Sequence, residues 1–104
     1  MSRRINRVNQ LLQEELAKLI QEDFKEALIT ITAVETAKDL KTARVWIATF
    51  SNQKKVLGDL EKKAPSYQHI LGRKLYLKNT PKLTFLIDKS EERTTKIEKI
   101  LKSI

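Results

Sequence analysis

Apolar residues near the start of the chain recur every three or four positions. Ile5, Val8, Leu12, Leu16 and Leu19 share one side of a helix predicted over residues 3–23, with Arg3, Arg7, Glu14 and Lys18 opposite. The period then changes to two. In Leu28–Glu35, Ile29, Ile31 and Ala33 face one way and Thr30 and Thr32 the other. In Lys41–Phe50, Ala43, Val45 and Ile47 oppose Arg44, Trp46 and Ala48. The polar stretch from Ala37 to Leu40 joins these two β-branched runs as an antiparallel hairpin, with Asp39 placed to accept turn amides.

Helical spacing returns from Asn52 to Lys63 through Val56, Leu57 and Leu60. Ala64-Pro65-Ser66 is expected to kink and interrupt it, because proline has no N–H and biases the preceding residue away from helix. Tyr67, Ile70, Leu71 and Leu75 resume the pattern, and Asn79-Thr80-Pro81 ends it. Lys82–Asp88 alternates again, placing Leu83, Phe85 and Ile87 on one face of a third strand. Ser90 with Glu91 and Glu92 reads as a helix start, and Ile97, Ile100, Leu101 and Ile104 as one face of a C-terminal helix. The predicted order is α-β-β-α-α-β plus that helix. A strand–helix–strand crossover is normally parallel and right-handed. The third strand should therefore run parallel to the second, with the helices on one face of a three-stranded mixed sheet. This α+β arrangement is the type II KH-like fold, predicted as one domain over 1–104 with a helical extension at 89–104.

The composition fits such a domain: 104 residues, 40% hydrophobic and 33% charged, with two Gly and two Pro. With no Cys and a single His, His69, neither a disulfide nor a metal site is expected. No apolar run approaches the roughly 18 residues of a membrane span, and no apolar signal core follows the N-terminus, so a cytoplasmic protein is expected. Nothing supplies a phosphate-cradling glycine loop, a nucleophile with its base, or paired carboxylates in a cleft. Neither an enzyme nor a cofactor is predicted.

Charge changes the picture most. The net charge is +8, and its excess lies in residues 51–104, which hold 13 Lys/Arg against 6 Asp/Glu. From Lys62 to Ile87 there is no carboxylate, while Lys62, Lys63, Arg73, Lys74, Lys78 and Lys82 fall in that window beside Tyr67 and Tyr76. Cations without competing carboxylates displace counterions from phosphates, which points to a polyanion partner, although many such runs are simply solvated faces. Arg3 and Arg7 of the first helix could add to that surface, and Arg44 shares a strand face with Trp46. Neither Gly58 nor Gly72 begins the G-X-X-G loop with which KH modules grip single strands, so recognition of folded RNA by shape and phosphate contact fits better.

Three blocks carry a family resemblance: Arg7-Val8 with Glu15-Leu16; Asp39-Leu40-Lys41-Thr42-Ala43-Arg44-Val45; and Leu71-Gly72, Leu75, Leu77, Pro81, Leu83, Phe85, Asp88 and Ser90. In this order and at these separations the chain resembles the ribosome-binding factor A family over nearly its whole length. The resemblance implies a non-enzymatic assembly factor that binds the immature 30S subunit and its 16S rRNA late in maturation. It further implies a role in 16S 5′-end processing and cold-adapted growth, and release promoted by a ribosome-associated GTPase. A module acting on mature subunits is the alternative. The free protein is expected to be a monomer, with Arg3, Arg7, Arg44, Lys62, Lys63, Arg73, Lys74 and Lys78 as RNA-binding residues. Family members usually kink between the middle helices at a small-residue-X-Gly motif. Here Ala64, Pro65 and Ser66 stand in that place, and Gln68 replaces an arginine common just after it.

Overall fold

The computed structural model describes residues 3–77 and 80–89, with side chains from residue 5 onward. The expected C-terminal helix, Lys78 and the side chain of Arg3 lie outside the described residues. Helix α1 (Arg3–Asp23) forms where the periodicity places it. Leu12, Leu16 and Ile20 are buried, with Val8 and Leu19 packed at the rim of the core.

Strands β1 (Ile29–Thr36) and β2 (Thr42–Thr49) pair antiparallel. At the turn between them Ala37 N–H donates to the Thr42 carbonyl at 2.9 Å and Leu40 N–H to the Ala37 carbonyl at 2.9 Å. The Asp39 carboxylate accepts from Lys41 N–H at 3.0 Å, the turn role its position suggested. Leu40 sits in the left-handed region at φ 61°. Asn9 of α1 fixes the far end of β1, its side-chain oxygen accepting from Thr36 N–H at 2.9 Å and from the Thr36 hydroxyl at 2.5 Å.

One strand departs from simple alternation. Ile31 pairs with Ile47, but the next pair is Ala33 with Trp46, so Thr32 is an extra residue in β1. The bulge reverses the facing of the residues beyond it. Val34, not Ala33, joins Ile31 in the core, and the Thr32 hydroxyl donates to the Trp46 carbonyl at 3.3 Å.

Strand β3 (Lys82–Ile87) pairs parallel to β2, giving the sheet order β1-β2-β3 and the predicted mixed sheet. Ala43, Val45 and Ile47 of the central strand meet Leu83 and Phe85 of β3 in one core with the buried faces of both helices. The alternate positions Glu35, Arg44 and Thr84 occupy the opposite, exposed face of the sheet.

The connection between β2 and β3 corrects an expectation. Instead of two helices separated at Ala64, Pro65 and Ser66, a single helix α2 spans Gln53–Lys74 with Pro65 inside it. Asn52 caps its start, the side-chain oxygen accepting from Lys55 N–H at 3.2 Å. Val56, Leu60, Ala64, Tyr67 and Leu71 are buried at steps of four, four, three and four, one stripe running unbroken past the proline. Interior proline costs a helix about 3 kcal/mol. Burying one large apolar side chain returns roughly 1.5–3 kcal/mol, so a five-residue stripe outweighs the defect. Pro65 itself is exposed, where water can reach the Glu61 carbonyl left without a donor.

The C-terminal end of α2 turns sharply. Leu77 N–H donates to the Gly72 carbonyl at 3.1 Å and Leu75 N–H to the Leu71 carbonyl at 2.9 Å, with Tyr76 left-handed at φ 53° between them. A Cβ at residue 72 would meet the Thr80 hydroxyl, so a larger residue there requires the Thr80 side chain to move. The Gln68 side-chain oxygen accepts from Leu83 N–H at 3.1 Å on the outer edge of β3.

Candidate nucleic-acid interface

Helix geometry sorts the cations of α2 into two rows. Residues three, four, seven or eleven apart lie on one side of a helix. Lys62, Ser66, His69 and Arg73 are all exposed and form an outer row opposite the buried stripe. Eleven residues at 1.5 Å each separate Lys62 from Arg73 by about 16 Å along the axis. Lys55, seven residues before Lys62 and also exposed, extends the row toward the start of α2. Reading the basic window from Lys62 onward missed it, although the spacing of seven was there to be found.

Lys63, Ile70 and Lys74 form a second row along the side that meets α1. The Lys74 ammonium lies 2.7 Å from a Glu15 carboxylate oxygen, and Lys63 lies 3.9 Å from Asp23. The window that is free of carboxylates in sequence thus acquires two of them in space, both from α1. The hydrogen bond from Lys74 holds the Glu15 carboxyl below its ordinary range; partial burial opposes this and Lys18, at 3.4 Å, adds to it. Lys63 and Lys74, both expected to bind RNA, therefore also brace the two helices.

Tyr67 belongs to the core and not to the basic surface. It is 1% exposed, and its hydroxyl donates to Asp23 at 2.7 Å. Burial, and then the hydrogen bond and charge of Asp23, push the phenol above its usual value. Asp23 in this way joins the end of α1 to the middle of α2.

The other expected contacts are dispersed. Arg7 is exposed on the outer side of α1, on the same side of the helix as Glu14 and Lys18. Arg44 lies on the opposite side of the sheet, directly across from Glu35 on β1 and beside Thr84 on β3. Trp46, on the same face, is half-buried, and its ring N–H is buried with no partner among the described residues. The fold brings Lys62 and Arg73 together on one row, flanks them with Lys63 and Lys74, and separates Arg44 from all four. His69 is exposed between Ser66 and Arg73, and no group of three or more potential metal ligands occurs among the described residues.

A cleft of about 690 Å³ lies between the end of α1 and the start of α2. Glu22, Asp23, Glu26 and Asp59 line it with only Lys25 and Lys55 to offset them, the wrong sign for a phosphate backbone. The charge of the helical layer is therefore graded, acidic near the α1–α2 junction and basic toward the end of α2. Arg73 and Lys74 also complement the negative end of the α2 dipole. No helix among the described residues is long and apolar enough to cross a membrane.

The chain is similar to known proteins in sequence and in fold. A ribosome-binding factor A from Akkermansia muciniphila is 35% identical over 108 residues, covering 100% of this chain and 86% of its own. The crystal structure of ribosome-binding factor A from Thermus thermophilus superposes with a TM-score of 0.74 at 25% identity, covering 80% of this chain and 94% of that one. A homology model of the Thermus thermophilus factor, fitted into a cryo-EM map of a 30S–RbfA complex, matches in fold with a TM-score of 0.66 at 21% identity, covering 86% of this chain and 97% of that one. The family model for ribosome-binding factor A matches residues 4–101, and the chain belongs to that family.

Proposed function

We propose that this protein binds the immature 30S ribosomal subunit through 16S rRNA, using the outer row of α2 as its principal contact, and assists late maturation without catalysing a reaction. The observation that carries this reading is the alignment of Lys62 and Arg73 on one exposed row of a continuous helix, in a chain of this family. The 30S complex formed by the Thermus thermophilus relative supports the choice of subunit. α2 carries one continuous helix where KH modules place a G-X-X-G loop, so the contact is with phosphates and RNA shape. A role in 16S 5′-end processing, release by a ribosome-associated GTPase, a cytoplasmic setting and a monomeric free state belong to the same reading.

Sedimentation through a sucrose gradient tests it. The protein should travel with free and precursor-containing small subunits and be depleted from translating ribosomes. Equal or greater recovery with translating ribosomes would favour a module that acts on mature subunits.

A further inference from the structure

The most exposed aromatic ring near the basic end of α2 is also on one of the least comfortable backbone positions. Tyr76 is 94% exposed and has φ 53°. It occupies the first position past the helix cap, where the left-handed turn favours glycine because any Cβ crowds the following carbonyl. Packing does not explain a large side chain there, since the ring touches solvent on almost every side. The backbone under it is nonetheless held on both flanks. Leu75 and Leu77 pack against the core, Leu77 N–H bonds back to the Gly72 carbonyl, and Gly72 lies against Thr80. The ring is therefore carried on a held backbone, so binding has only its side-chain torsions left to fix. Three residues earlier, Arg73 ends the exposed row of α2, and it makes no ion pair among the described residues.

We infer that Tyr76 is a stacking platform for one unpaired base of the RNA whose phosphates contact the outer row of α2. This deepens the proposed function and rests on it for the identity of the RNA. An open aromatic face three residues past an exposed arginine suits a nucleobase attached to a phosphate chain, and such stacking tolerates any base. One platform replaces the four-nucleotide grip of a KH loop, so it adds affinity without reading a sequence.

The test compares Tyr76→Gly and Tyr76→Phe with the unchanged protein in three measurements: thermal midpoint, affinity for small subunits, and affinity for a short single-stranded oligoribonucleotide. Tyr76→Gly should raise the midpoint by a few degrees, because the strained position is relieved. It should nevertheless weaken both affinities by about 5- to 150-fold, the range equivalent to losing one stacked base. Tyr76→Phe should keep both. The inference is overturned if Tyr76→Gly leaves oligoribonucleotide binding unchanged. A loss confined to the subunit would then assign Tyr76 to a ribosomal protein. Loss of binding in Tyr76→Phe would overturn it as well, because the hydroxyl and not the ring would be the contact. If the unchanged protein failed to bind subunits, the proposed function would fall, and the oligoribonucleotide comparison would still decide the role of the ring.

Discussion

Glu15 and Lys74 show how a single residue takes its meaning from the fold. In sequence Lys74 is one more cation in a basic window, whereas in space it is 2.7 Å from a carboxylate on another helix. Two measurements separate its structural role from a role in binding. Lys74→Glu places like charges together and should lower the thermal midpoint most; Arg73→Glu, which reverses a favourable charge at the helix end but has no ion-pair partner among the described residues, should lower it less, and Lys62→Glu should leave it nearly unchanged. The second is an acid titration of stability. The carboxyl of Glu15 is lowered in the folded state, so its contribution is complete above its ordinary pKa and is lost as pH falls through the folded value. Glu15→Gln should therefore lose stability relative to the unchanged protein near neutrality and converge with it only once the pH has fallen below the lowered folded-state value of Glu15. Parallel curves at all pH values would show that the pair contributes nothing. Gly72 makes a similar point. In a helix, Gly→Ala is worth about 1 kcal/mol, but here the new methyl meets the Thr80 hydroxyl. Gly72→Ala should be neutral or destabilising alone and stabilising by about 1 kcal/mol in a Thr80→Ala background. Additivity of the two substitutions would mean that the contact carries no energy.

Among the elements, α1, the hairpin and the third strand were legible because each has an apolar period matched to its geometry, and the helical crossover made the third strand parallel to the second. Two features escaped that reading for physical reasons. The inserted Thr32 reverses the facing of β1, and alternation alone cannot show an extra residue that is defined by its partner strand. Pro65 is the stronger case. A local rule predicted a break, yet the apolar positions on both sides of the proline fall on one stripe, and their common burial keeps the helix whole. If that balance is right, Pro65→Ala removes a defect from a formed helix. Chemical denaturation should show a stability gain of about 1–3 kcal/mol, with part of the helical benefit offset by the freer unfolded chain. A break at Ala64–Ser66 would instead make the substitution neutral or destabilising.

For the whole molecule, composition revealed that the chain is basic but not where the charge resides. The α2 cations of the acid-free window divide between an outward row and a row that joins the helices, Lys82 starts β3, and Arg44 goes to the far face of the sheet opposite Glu35. Sequence distance hides such separations, because side chains eleven residues apart on a helix share a face while neighbours on a strand do not. The salt dependence of small-subunit affinity for Lys62→Glu/Arg73→Glu, with Arg44→Glu as the control on the opposite face, decides whether the outer row of α2 is the small-subunit contact. Each phosphate contact contributes up to about 0.9 to the slope of log K against log salt. The double variant should bind far more weakly, with a slope shallower by up to about 1.8, while Arg44→Glu keeps the affinity and slope of the unchanged protein. Loss of binding in Arg44→Glu with an unaltered slope in the double variant would contradict the claim and move the interface to the exposed face of the sheet.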